Sequence, residues 1–140
     1  MVEREVNEFC ILGVKISAID MNDACSVVEN AILKRQKKYI CVCPVSTIIE
    51  CKNNRKVLTS VNCADLATPD GMAVVWIGKM LGYQNMSRVY GPELMPKICG
   101  ISVKNGYKNY FYGSTRNTLD KLEEALSRKY SGLVISGMFS

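Results

Sequence analysis

Ala64-Asp-Leu-Ala-Thr-Pro-Asp-Gly-Met-Ala-Val-Val-Trp-Ile-Gly-Lys-Met-Leu-Gly82 is the stretch on which the fold turns. Residues 64–68 read as a short strand, Pro69-Asp70-Gly71 closes it with turn chemistry, and Met72 to Leu81 follows as an apolar helix that stops at Gly82. A strand that passes through a tight turn into a helix is the repeating step of a layered α/β protein. The helix is polar only at Lys79 and is expected to be central to the packing.

The same alternation continues on both sides. Phe9-Cys-Ile-Leu-Gly-Val-Lys-Ile16 reads as a strand or hairpin, and Asp20, with Asp23 three residues on, is placed to cap a helix running to about Lys37. Tyr39-Ile-Cys-Val-Cys43 is a short uncharged run ended by Pro44, as in a buried parallel strand, with a helix from Ser46 and another between Asn53 and Val61. Gly91-Pro92-Glu93 opens a helix toward Val103. A strand over 108–112, a helix over 117–130 and a strand from Leu133 complete the order. The expectation is an α/β fold with a mainly parallel sheet flanked by helices.

Composition narrows the chemistry. The 140 residues suit one domain, or part of a larger one, and no repeat or linker-like stretch divides them. No histidine is present, which removes Ser-His-Asp and Cys-His nucleophile systems and leaves acid–base work to carboxylates. Seven cysteines without a C-x-x-C pair fit free thiols in a reducing cytoplasm better than a disulfide framework or a zinc ribbon. The net charge of +5 is spread along the chain except at Lys34-Arg35-Gln36-Lys37-Lys38, which reads as a solvated helix end or a surface for anionic lipid headgroups or polyphosphates. No nucleic-acid partner is expected. The charged N-terminus, Met1 to Glu8, resembles neither a signal peptide nor a membrane anchor.

Three segments fall where α/β sheets bind ligands, outside the carboxyl ends of strands. Asp70, at a strand-to-helix turn, is placed to accept a proton from an incoming hydroxyl; Pro-Asp-Gly is also a common turn string. Ser87-Arg88-Val-Tyr-Gly-Pro92 joins a guanidinium to a helix start, which suits a pyrophosphate, although a surface arginine before a helix is ordinary. Tyr112-Gly-Ser-Thr-Arg116 offers glycine, hydroxyls and backbone N–H groups, or a plain cap. Neither the G-x-G-x-x-G nor the P-loop fingerprint occurs, which speaks against a nicotinamide-dependent dehydrogenase. With no Asp-x-Asp string, no metal and no cofactor is expected, and arginine and helix dipoles would neutralise a departing diphosphate.

Taken together, Phe9 to Ile16, Val45-Ser-Thr-Ile-Ile-Glu50, Ala64 to Met72 with Val74-Val-Trp76, Arg88-Val-Tyr-Gly-Pro92 and Phe111-Tyr-Gly113 resemble the WecG/TagA/CpsF glycosyltransferase family, in order, from residue 9 to the C-terminus. The resemblance implies a Rossmann-like fold and an inverting transfer from a UDP-sugar to a polyprenyl-diphosphate-linked sugar, in surface polysaccharide or teichoic acid synthesis. It also implies work at the inner face of the bacterial cell membrane and a possible homo-oligomer. Asp70 matches the family's proposed general base. Ser46, Thr47, Gly71, Arg88, Tyr90, Gly91, Gly113 and Ser114 fall at its sugar-nucleotide positions. Many members carry Thr-Pro-Asn after the third strand, where this chain has Cys43-Pro44-Val45 and then Ser46-Thr47. That variant resembles the exopolysaccharide branch and opens glucose or another hexose as donor beside N-acetylmannosamine. Members continue beyond this C-terminus, so residues 1–140 are expected to be one glycosyltransferase domain, incomplete at its end. The alternative is a truncated member acting as a nucleotide-binding or assembly module.

Overall fold

The computed structural model describes residues 6–140; the charged residues 1–5 lie outside it. The chain is mixed α/β and divides into two compact units, Met1–Leu94 and Met95–Ser140, with the boundary inside one helix.

In the first unit, β1 (Glu8–Ile11) and β2 (Val14–Ser17) form an antiparallel hairpin. Its two-residue turn places Leu12 and Gly13 at φ 52° and 84°, the paired positive values of the turn that matches strand twist. Helix α1 (Met21–Leu33) opens with a full capping box: Asp20 accepts the Asp23 N–H, and Asp23 accepts the Asp20 N–H. It ends earlier than its periodicity suggests. Arg35 takes a left-handed conformation, φ 54°, its N–H donating to Ile32 O while that of Gln36 donates to Ala31 O. This stop motif satisfies the last carbonyls and leaves Arg35 to Lys38 in an exposed segment past the helix.

Next come β3 (Ile40–Cys43), α2 (Val45–Asn53), α3 (Arg55–Asn62), β4 (Leu66–Pro69) and α4 (Met72–Met80). Strands β3 and β4 pair in parallel, Cys43 opposite Pro69, so their carboxyl ends lie level. The buried Ser17 hydroxyl accepts the Ala67 N–H at 3.1 Å and ties the hairpin to β4. Phe9, Val14, Ile16, Cys43, Ile48, Val74, Val75 and Met86 share one core with their neighbours.

The sequence expectation for α4 needs correction. Only Val74, Val75 and Gly78 face the core; Met72, Trp76, Ile77, Met80 and Leu81 are exposed. Gly78 is what brings the inner face close, because a Cβ there would stand 2.1 Å from the Met86 sulfur and 2.8 Å from Phe9. The helix packs through a narrow small-residue face and leaves its bulky face outside.

Helix α5 (Gly91–Asn105) crosses the unit boundary. The second unit continues with β5 (Lys108–Tyr112), α6 (Arg116–Lys129) and β6 (Val134–Phe139). Its strands pair in parallel, and α6 buries Leu119 and Leu126. Both parallel pairs agree with the sequence reading. Among the described residues, no helix is long and apolar enough to cross a membrane.

Candidate active site

The turn after β4 carries the first candidate group. The Asp70 N–H donates to Cys43 O at 3.4 Å, extending the β3–β4 alignment by one residue. Gly71 then caps α4 at φ 104°, a conformation that L side chains rarely adopt and glycine takes freely. No side chain caps α4 or α2, so the N–H groups of both first turns are left for solvent or a ligand. Ser46 and Thr47 lie in the first turn of α2, at the same strand-end edge as Asp70.

Arg88 approaches from the segment between α4 and α5. Its Nε and Nη2 both point at Asp70 Oδ1, at 3.4 and 3.5 Å. The carboxylate is mostly covered, 16% exposed, and the arginine is open at 44%. Behind Arg88 the guanidinium lies over the Tyr90 ring, 4.0 Å from its centroid. The Tyr90 carbonyl accepts the Glu93 and Leu94 N–H groups, so the ring and Gly91 stand at the start of α5. The structure therefore brings Asp70, Gly71, Arg88, Tyr90 and Gly91 together, with Ser46 and Thr47 on the adjoining helix start.

Two residues inside the candidate segments, to which the sequence assigns no role of their own, hold this geometry. Thr68 is fully buried and its Oγ1 donates to Val89 O at 3.1 Å, while the Val89 N–H donates to Pro69 O at 2.9 Å. These bonds clamp the Arg88 segment to β4. A signal was present in Ala-Thr-Pro, where a polar residue interrupts an otherwise apolar strand, but its partner is 21 residues away.

Gly113 and Ser114 belong to the second unit, directly after β5. They take φ 109° and 67°, and the Gly113 N–H donates to Phe139 O at 2.8 Å. Left-handed geometry at a serine is uncommon, and it turns the chain sharply into Thr115, whose hydroxyl caps α6 by accepting the Thr118 N–H.

The chemistry available in the first unit is specific. An acidic side chain at a helix start, facing a guanidinium, pairs a proton acceptor with an anion-binding fork. Cys43, beneath it, is no nucleophile: burial first, then the neighbouring Cys41, Cys51 and Asp70, pushes its thiol up to about 12. Among the described residues, no group of three or more Cys, Asp or Glu is placed to hold a metal ion.

The sequence profile of the WecG/TagA/CpsF glycosyl transferase family matches residues 9–140. The chain belongs to this family. Two curated relatives carry the name N-acetylglucosaminyldiphosphoundecaprenol N-acetyl-beta-D-mannosaminyltransferase. The Bacillus spizizenii protein is 26% identical over 88 residues and the Bacillus subtilis protein 20% identical over 84. The matched stretches cover 63% and 60% of this chain but 34% and 33% of the relatives, so the chain aligns with about a third of each. The family drawn from five ordered motifs and the mixed α/β fold are thus both confirmed for this WecG/TagA/CpsF member.

Proposed function

We propose that the protein is an inverting glycosyltransferase that moves a hexose or N-acetylhexosamine from a UDP-sugar to a polyprenyl-diphosphate-linked sugar. The observation that carries the reading is the Asp70–Arg88 pair at the level ends of two parallel strands, in a chain of this family. Support for the acceptor class comes from the relatives, whose names specify a diphosphoundecaprenol-linked N-acetylglucosamine. The donor sugar is N-acetylmannosamine, as those names suggest, or a glucose-type hexose, as Cys43-Pro44-Val45-Ser46-Thr47 suggests. Surface polysaccharide or teichoic acid synthesis is the corresponding setting, with the protein on the inner face of the membrane.

In the proposed reaction Asp70 takes the proton of the acceptor hydroxyl. The oxygen attacks the anomeric carbon from the face opposite the diphosphate. The new C–O bond forms as the bond to the phosphate oxygen breaks, its electron pair leaving with UDP. Arg88, steadied by Tyr90, stabilises the charge on the departing diphosphate, assisted by the N–H groups at the starts of α2 and α4. Ser46 and Thr47 contribute hydroxyls at the donor, and Gly71 and Gly91 keep the backbone open to it. For the second unit, the Gly113–Ser114 turn is proposed as a nucleotide contact, tested by UDP affinity in Gly113→Ala.

The test is transfer from UDP-N-acetylmannosamine and from UDP-glucose to a lipid-diphosphate-linked N-acetylglucosamine, read as UDP release with the product's anomeric configuration. One donor is expected to give inverted product, and Asp70→Asn to lose about 10²–10⁴-fold while still binding UDP. Turnover unaffected in that variant would remove Asp70 from its role. Binding of UDP with no transfer from either donor would indicate a nucleotide-binding module instead.

A further inference from the structure

The outer face of α4 is not explained by the packing of the first unit. Met72, Trp76 and Met80 repeat at four-residue spacing, with Ile77 and Leu81 beside them, so one continuous apolar strip runs the length of the helix. From Met72 through Trp76 to Met80 exposure rises from 47% to 60% to 86%. Lys79 is the only charged residue on the helix, and it too is exposed.

Three observations select the occupant. The first is area. Taking about 200 Å² for a large side chain, the five exposed residues present roughly 600 Å², at the top of the range for monomer patches and below the ~800 Å² per partner of a stable protein interface. The second is composition. A tryptophan amid methionine and leucine, edged by a lysine and free of carboxylates, matches the boundary between acyl chains and anionic headgroups, where the lysine stem lies along the apolar surface and its ammonium reaches phosphate. The third is place: the strip begins two residues after Asp70, on the helix that the candidate turn opens. At nine residues α4 is about 13 Å long, under half of a ~30 Å hydrocarbon core, which suits a helix lying on a bilayer rather than crossing one.

We propose that α4 is a membrane-docking element: its Met72, Trp76, Ile77, Met80 and Leu81 face enters the headgroup boundary of an anionic bilayer, with Lys79 on lipid phosphate. The identity of the surface rests on the lipid-linked acceptor read above; the docking itself does not require transfer. It would bring the turn at Asp70 to the plane where a polyprenyl diphosphate is exposed, so that the acceptor's sugar reaches the base while its lipid stays in the membrane.

Trp76 is the only tryptophan in the chain, so its emission reports on this face alone. The protein is titrated with vesicles of phosphatidylglycerol and phosphatidylethanolamine, without sugar nucleotide. A blue shift of Trp76 emission is expected, with quenching by lipids brominated on the acyl chain. Met80→Glu is expected to weaken vesicle binding at least tenfold, leaving the circular dichroism spectrum and any transfer to a short-chain soluble acceptor unchanged. Unshifted emission with vesicles overturns the proposal. So does a blue shift that appears with protein concentration alone and disappears on dilution, which would mark the face as a contact between copies. Vesicle docking without transfer would refute the glycosyltransferase reading and leave the docking surface standing; transfer with no docking would do the reverse.

Discussion

Replacing Thr68 by valine tests whether one buried hydroxyl holds the site together. The two side chains have nearly the same shape, and Thr68 is fully buried, so the substitution deletes the bond from Oγ1 to Val89 O without opening a cavity. Leaving a buried carbonyl without that donor costs about 1–3 kcal/mol. The methyl that replaces the hydroxyl returns at most about 0.8 kcal/mol of burial. A net loss of about 1–2 kcal/mol is expected, read as a lower urea midpoint with an unchanged slope. The functional effect should be larger than that loss implies. Val89 is next to Arg88, and of the two bonds that clamp this segment to β4 only the backbone bond from Val89 N–H to Pro69 O remains. The contacts from Arg88 to Asp70, already 3.4 and 3.5 Å, have no slack. UDP affinity by calorimetry should therefore fall several-fold in Thr68→Val. Thr68→Ser, which keeps the donor and loses only a methyl, should lose stability but retain UDP affinity. If valine instead matches the wild type in both measurements while serine is the weaker protein, packing and not the hydrogen bond positions Arg88.

Further outcomes follow from single residues. Gly78→Ala should destabilise by about 1–2 kcal/mol in urea unfolding, because overpacking against Phe9 and the Met86 sulfur, typically 1–3 kcal/mol, outweighs the up to ~1 kcal/mol by which alanine favours a helix. Arg88→Ala should raise the donor KM and lower kcat together, and Arg88→Lys should restore charge but not the two-pronged contact, recovering only part of the loss in steady-state kinetics. Tyr90→Phe should be nearly silent in the same assay, since the stacked ring face is kept, whereas Tyr90→Leu should behave as a weaker Arg88 variant. At pH 8.5 iodoacetamide should modify exposed Cys10 and Cys63 first and Cys43 only on unfolding, as followed by peptide mass spectrometry. The same burial fixes a stability trend: above the thiol's ordinary value of 9.0 the unfolded chain releases the Cys43 proton while the folded chain retains it up to about 12, so Cys43's contribution to stability falls as pH rises through that window.

What could be read in the sequence was what local chemistry over-determines. Asp20 and Asp23 form the capping box because only that spacing lets each carboxylate reach the other's backbone. Pro69-Asp70-Gly71 was readable for a similar reason: proline ends the ladder, glycine alone takes φ 104° freely, and the acid between them has to lie on the turn. The end of α1 was not readable, since its stop depends on an arginine in left-handed geometry, where glycine is the usual signal. Nor was the Asp70–Arg88 pair as such: each half was a candidate, but their meeting depends on a contact between Thr68 and Val89 that no periodicity records.

Helix α4 shows the deeper reason. A helix that is apolar nearly all round satisfies two different solutions, full burial in a core or one face in a core and the other on a second apolar phase, and composition is the same for both. What separates them is the width of the inner contact. Here that contact is Val74, Val75 and Gly78, and Gly78 has no room even for a methyl, so the helix sits too close to its neighbours for a bulky residue to be accommodated there. The bulk of the helix must then face outward. A sequence that needed only a soluble exterior could have placed Lys or Glu at positions 76 and 80 at no cost to that inner contact. That it carries Trp76 and Met80, on a helix that opens at the candidate catalytic turn, is the observation behind the docking proposal, and Met80→Glu is the change that should separate membrane docking from folding.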